Sequence, residues 1–362
     1  MRKCTIGGLA LCLGVLVMPI AAHAVQVDCG AGQTIANALA QGATLVKVSG
    51  TCTETVEILR DDVTIQGMNG ATLNGGISIN AARRILIKNL TIKNGAEALD
   101  VGTVDVFLDR GASATLDNVK IRKAAVGVYA TGSSFVEIRN GSLIAANETG
   151  VWIDYSSSGR VDGSQFQDGT DDAILASRSS GLKLTNNTVQ NNVFGIESNT
   201  NASIWMKGNT VTTSPGLGPT LSLASAGTVR LQGGNTIQGD VAINMAQGTE
   251  LIQRKGHDTL IGAVNISESD VARFEDVEIQ GDVSITGRST LKLLEVPESA
   301  TTRVTGGISV DQDSGMTFQF GGDHGIEVLG TLSCADADSS IVGLDSVSYG
   351  DLDIGAGCTT SP

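Results

Sequence analysis

Two kinds of side chain that suit sugar chemistry gather between residues 129 and 178: carboxylates close to arginines, and aromatic rings. Asp154, Asp171, Asp172 and Arg178 form the candidate catalytic set. Two carboxylates in different environments can divide acid and base work, one protonating a leaving oxygen while the other activates water or attacks. An arginine beside them holds a hydroxyl or an acid group through its planar fork. Tyr129, Trp152, Tyr155 and Arg160 form the candidate carbohydrate-contacting set, because a flat ring with a polar tip covers the apolar face of a sugar. The competing structural reading is an aromatic ladder that stiffens a sheet, with Asp154 and Arg178 as a surface ion pair worth at most about 1 kcal/mol. On that reading Asp168-Gly169-Thr170-Asp171-Asp172 is a turn whose acids bond the backbone.

Whichever reading holds, some element must bring residues so far apart in sequence together. The recurring unit is a small or turn residue followed by an apolar-x-apolar triplet. It appears as Ile77-Ser78-Ile79, Leu99-Asp100-Val101, Val128-Tyr129-Ala130, Val151-Trp152-Ile153, Ile174-Leu175-Ala176 and Ile196-Glu197-Ser198. It continues through Leu221-Ser222-Leu223, Val241-Ala242-Ile243, Val264-Asn265-Ile266, Val283-Ser284-Ile285, Ile308-Ser309-Val310 and Ile326-Glu327-Val328. Successive first residues lie between 18 and 29 apart. Between triplets runs a second ladder broken by Asn/Gly corners, as in Leu184-Thr185-Asn186-Asn187-Thr188-Val189. Such corners tolerate left-handed backbone angles. A strand-built period of this length is a solenoid signature. A hexapeptide helix would keep strict multiples of six, and a leucine-rich repeat would keep its leucine framework; neither is present. The fold expected is therefore all-β, a single right-handed parallel β-helix of about twelve rungs with an N-terminal capping helix near Thr34 to Ala43. Aligning Gly127, Gly150, Ala173 and Gly195 stacks Tyr129, Trp152, Leu175 and Glu197 outward, with Thr131, Asp154, Ser177 and Asn199 in the next column.

Arg2 and Lys3, the mostly apolar stretch from Ile6 to Ile20 and the small-x-small Ala22-His23-Ala24 read as a signal peptide cut after Ala24. Export to a periplasmic or extracellular space is expected, with no membrane span. Cleavage takes Arg2 and Lys3 from the 24 basic residues and none of the 38 acidic ones, so the net charge of −14 becomes −16. That balance argues against a nucleic-acid partner, whose phosphates need a basic footprint, and against plain electrostatic attraction to anionic membranes or polyuronides. The four remaining cysteines fall in two local pairs, Cys29 with Cys52 and Cys334 with Cys358. In an exported chain they read as disulfides worth about 3 kcal/mol each. The organisation expected is a signal peptide over 1–24, an N-terminal cap over 25–60, the β-helix over 61–330 and a C-terminal cap over 331–362.

With these rungs, the helix Gln33-Thr34-Ile35-Ala36-Asn37-Ala38-Leu39 and the early cysteine pair, the chain resembles the pectin-lyase-like superfamily of right-handed β-helix proteins over nearly all of its length past residue 24. The resemblance implies the fold and no single activity, since that superfamily holds lyases, hydrolases, epimerases, tailspikes and adhesins. Polygalacturonase-like hydrolases carry an Asp, an Asp-Asp pair, Gly-His-Gly and Arg-Ile-Lys in that order. Here Asp171-Asp172 matches the pair, but the histidines stand as Gly256-His257-Asp258 and Asp323-His324-Gly325, and Ile121-Arg122-Lys123 precedes the acids. Pectate lyases combine outward calcium-binding carboxylates with a proton-taking arginine; Asp154 and Arg178 imitate part of this without the third acid.

The expectation drawn from all this is an exported protein whose outward face binds, and in one version processes, a polysaccharide or cell-surface glycan by lyase or hydrolase chemistry. The alternative is a non-catalytic, adhesin-like structural rod. No cofactor is expected, and calcium is left open without support: Asp311-x-Asp313-x-Gly315 begins like a calcium loop and lacks the later bidentate glutamate.

Overall fold

The computed structural model describes residues 23–98, 101–213, 216–244, 257–269, 272–275, 277–294, 302–319 and 325–362. Most of the expected signal peptide lies outside the described residues, as do Leu99, Asp100 and His324. Within them, one parallel β-helix of about fourteen turns takes in both terminal segments. At about 4.8 Å per turn this is a rod roughly 60–65 Å long.

Each turn contributes a strand to three faces in order, as in Thr149–Ile153, Ser158–Asp162 and Gln165–Gln167, before the chain returns with Asp172–Ala176. On the first face the registers stack Val56, Ile77, Val106, Val128, Val151, Ile174, Ile196 and Leu221. The stack continues through Val241, Val264, Val283, Ile308, Leu332 and Leu352. The count exceeds the expected twelve because Val56–Ile58 already forms a rung and because the C-terminal segment supplies further ones. Two expected triplets are corrected. The rung between Ile77 and Val128 is Val106-Phe107-Leu108 rather than Leu99-Asp100-Val101, because Ala96–Glu97 pairs antiparallel with Thr103 and Val104 and pushes the rung strand downstream. Ile326-Glu327-Val328 pairs with Thr302–Val304 on the third face, and Leu332-Ser333-Cys334 takes its place on the first.

Alternation within each strand drives the packing. In Val128-Tyr129-Ala130 and its neighbours the flanking residues are 0% exposed and fill the shaft, while the middle one points out. At one corner Asn187, Asn209 and Asn235 form a ladder, each side-chain amide donating to the next at 3.0, 2.9 and, onto Asp258, 2.9 Å. This satisfies buried polar groups along the rod rather than within one turn.

The N-terminal end carries the expected short helix. The helix α1 spans Ile35–Ala40, with the Thr34 hydroxyl accepting from Asn37 N at 3.2 Å. The Glu54 carboxylate accepts from Ile35 N and Ala36 N at 2.7 and 3.0 Å, closing the helix start. Disulfides join Cys29 to Cys52 and Cys334 to Cys358. Solenoid strands run into both expected caps: Ala24–Asp28 pairs with Leu45–Ser49, and Val347–Ile354 with Ile326–Cys334. Among the described residues no helix is long and apolar enough to cross a membrane.

Candidate active site

The corner after each first-face strand decides where Asp154 goes. Tyr155 and Ser156 take φ of 45° and 58°, Arg178 and Ser179 take 49° and 61°, and Thr200 and Asn201 take 46° and 66°. Two successive left-handed residues are costly for side chains other than glycine. The turns persist because they stack: Ser156 N donates to Arg178 O at 3.1 Å and Ser179 N to Thr200 O at 3.0 Å. This geometry tucks Asp154 beneath the corner, where it is 0% exposed. Its carboxylate accepts from Tyr129 Oη at 3.1 Å, Ser177 Oγ at 2.7 Å and Arg178 Nη1 at 3.0 Å. Trp152 Nε1 donates to the same Ser177 hydroxyl at 2.9 Å. The Arg178 guanidinium lies 4.3 Å from the centroid of the exposed Tyr155 ring.

The geometry corrects three expectations. Asp154 cannot serve as an open acid or base, since three donors occupy its carboxylate and no surface reaches it; it anchors a buried network. Arg178 is not the unpaired arginine expected: its Nη1 pairs with Asp154 and its guanidinium lies over Tyr155, with the side chain still partly exposed. Tyr129, expected on an open face, is 3% exposed. Its ring sits in a ladder with Phe107 at 5.7 Å and Trp152 at 5.0 Å. Val104 and Val126, with Ala98 and Val101 of the hairpin, pack over this end of the ladder. Burial, ahead of the nearby Asp154 charge, pushes the Tyr129 hydroxyl up to about 12. The placement of Arg160 near Trp152 is also corrected, for a topological reason. Arg160 lies on the second face, in register with Glu137 and 4.0 Å from its carboxylate, and not beside Trp152.

Asp171 and Asp172 are where the described structure concentrates unusual electrostatics. They lead into the first-face strand at the corner coming from the third face. Asp172 is 6% exposed, and its Oδ1 has no hydrogen-bond partner. Burial first, then the charges of Glu197 and Asp171, push its carboxyl up to about 8. Asp171 is exposed and raised as well, by partial burial and by the Glu148 charge. Alongside, a depression of about 390 Å³ is lined by Thr103, Lys123, Asn147, Glu148, Asp168 and Thr170 among others. Outward of the sheet, the half-buried Trp152, Leu175 and Glu197 occupy successive rungs in register, and Phe194 lies opposite Asp172. This part of the first face thus carries Asp171, Glu148 and Glu197 near the apolar and aromatic side chains of Trp152, Leu175 and Phe194. One acid in it holds its proton near neutral pH while its neighbours supply negative charge, the separation that acid–base chemistry on a glycosidic bond requires.

Of the residues named from the sequence, Asp171, Asp172, Trp152 and the outward Glu197 lie on the first face; Phe107, Phe194 and Glu148, also placed there, were not named. Phe107 lies one rung before Tyr129 and was hidden by the hairpin insertion. Asp105 was also missed. It lies opposite Gly127, a position filled by glycine again at Gly150. Fully buried, it is pushed up to about 8 by that burial; the backbone N–H groups of Gly95 and Arg122 pull the other way without closing hydrogen bonds.

Residues 75–239 match the family described as "Right handed beta helix region". With the register above, this makes the chain a right-handed parallel β-helix protein, the hand that crossovers between parallel strands almost always take. No curated protein sequence matches it. Among solved structures it is similar to the catalytic domain of a GH87 alpha-1,3-glucanase, with a TM-score of 0.45 and 12% identity over 95% of this chain and 69% of that one. It is also similar to PfbA, a surface adhesin of Streptococcus pneumoniae, with a TM-score of 0.42 and 12% identity over 91% of each chain. A mutant of the PL6 family alginate lyase AlyGC follows at a TM-score of 0.34 and 9% identity, over 94% of this chain and 79% of that one.

Proposed function

We propose that this is an exported β-helix protein that binds polysaccharide along the outward side of the first face and cleaves it by general acid–base chemistry. Asp172 is the proton donor, and Asp171, Glu148 and Glu197 are the carboxylates from which the base or nucleophile comes. The observation that supports this reading is the buried Asp172 carboxyl, proton-bearing near neutrality, flanked by Asp171 and Glu197, and a few residues from Asp168 and Thr170, which line an open depression. Trp152 and Phe194 are the apolar surfaces against which sugar rings rest, a role for which aromatic side chains are suited. Substrate class and cleavage chemistry are tested together with a panel of neutral and uronic polysaccharides, assayed for new reducing ends and for unsaturated products. Asp172→Asn is expected to cut turnover by about 10²-fold or more while leaving substrate binding in place. Trp152→Ala is expected to weaken binding instead. Wild-type protein that neither binds nor cleaves any member of the panel would end this reading.

The rival reading, a non-catalytic surface rod, draws support from the sealing of Tyr129 and the full occupation of Asp154, which turn half of the expected contact face into structural packing. Binding without turnover, unaffected by Asp172→Asn, would favour it.

A further inference from the structure

The second face carries a charge pattern opposite to that of the chain. The whole sequence has a net charge of −14. Yet the outward row across successive strands of this face reads Arg160, Lys183, Trp205 and Arg230, with Lys207 two residues beyond Trp205 on the same strand. One carboxylate reaches the row: Glu137 lies 4.0 Å from Arg160, and it is already engaged by Arg139 at 3.3 Å. Asp162, two residues along from Arg160, accepts from Thr185 at 2.7 Å and Asn186 at 3.4 Å. Among the described residues Lys183, Lys207 and Arg230 form no ion pair. The Lys183 ammonium lies 4.2 Å from the Trp205 ring centroid, which disperses its charge without neutralising it. Like charges directly opposite one another on adjacent strands are destabilising, so Arg160 beside Lys183 is a cost that an external anion would remove.

The row also has a place for a ligand. A depression of about 460 Å³ runs beside the half-buried Trp205, lined by Gly181, Lys183, Ser203, Thr228 and Arg230 among others. Its floor is low at Gly181, where an added Cβ would meet nothing within 4 Å.

We infer that this row is a second glycan surface, one that takes a linear polysaccharide bearing sugar carboxylates. Lys183 and Arg230 pair with the carboxylates, and one pyranose ring lies in the depression against Trp205. Successive rungs place side chains about 4.8 Å apart, close to the advance of one pyranose along a chain, so consecutive sugars meet consecutive strands. A nucleic acid fits less well. The surrounding negative charge repels a duplex, with one charge every ~1.7 Å, more than a sugar-acid chain with one charge per ring, and one ring is not the series of stacking platforms that single strands use. This surface lies on a different face from Asp172 and does not rest on the reading of that residue.

The test is calorimetric titration of the full-length chain with a galacturonate hexamer, a neutral glucan hexamer and a short DNA duplex, at low and high salt. The galacturonate is expected to bind with an affinity that falls with salt, and the neutral hexamer to bind more weakly at this face. Lys183→Glu with Arg230→Glu should weaken galacturonate binding by about tenfold or more, and Lys183→Arg by less than about twofold. These side chains are exposed, and unchanged circular dichroism and melting of the variants check that the rod is intact. Absent galacturonate binding, DNA binding tighter than galacturonate, or affinity indifferent to the charge reversal in a folded variant would each overturn the proposal.

Discussion

Replacing Asp172 with asparagine should stabilise the protein, and by an amount that depends on pH in a defined way. An aspartate in an unfolded chain titrates near 3.9, whereas burial and neighbouring acids hold the folded Asp172 carboxyl near about 8. Between those values the folded state keeps a proton that the unfolded state has lost. Stability therefore falls as pH rises, at up to about 1.4 kcal/mol per pH unit for this one group. Four units set a ceiling of about 5–6 kcal/mol, and water reaching the carboxyl should reduce the realised effect to roughly 2–4 kcal/mol. Asparagine keeps the neutral shape and removes the titration. Wild type and Asp172→Asn should thus unfold alike near pH 4, diverge steadily towards pH 8, and keep a constant gap above it. Denaturant midpoints followed by circular dichroism across that range provide the measurement, with shifts in the transition compared because solenoids need not unfold in one step. Asp105→Asn, at the other carboxyl held near about 8, serves as an inner reference, and the two effects should add if the sites are independent. A gap that is flat with pH, or a variant less stable at pH 8, would refute the account of Asp172 as a proton-holding acid.

Asp154→Ala should cost about 2–4 kcal/mol, because it strands the Tyr129 and Ser177 hydroxyls and the Arg178 guanidinium; thermal melting checks this, and an unchanged midpoint would contradict the buried network. Removing the Cys334–Cys358 bridge with paired serines should cost about 3 kcal/mol and expose the C-terminal rungs first, as limited proteolysis would show. Cleavage beginning elsewhere in the rod would argue that this end is held by packing alone.

Much of the fold was legible because its signal repeats. Each apolar-x-apolar triplet is weak alone, but a dozen at a similar interval leave little other than a solenoid, and the alignment of Tyr129, Trp152, Leu175 and Glu197 followed from side-chain alternation. The misread rungs lie where the period breaks. The hairpin before Val104 inserted residues ahead of a rung, and near the C-terminus two apolar triplets, 326–328 and 332–334, fall close enough to compete. The site was half legible for a related reason. Period assigns a residue to a row, but it does not say what folds over that row.

The sequence alone determined that the chain coils, which residues share a column, and that two cysteine pairs lie near its ends, because strand alternation and local spacing are properties of neighbours along the chain. Only the tertiary structure decided that Tyr129 and Asp154 close into a hydrogen-bonded network while the buried Asp172 keeps an unpaired carboxylate oxygen, and that Arg160 faces another way. Burial depends on what packs from distant turns and hairpins, and burial is what sets whether a carboxylate is an anchor, an ion or an acid.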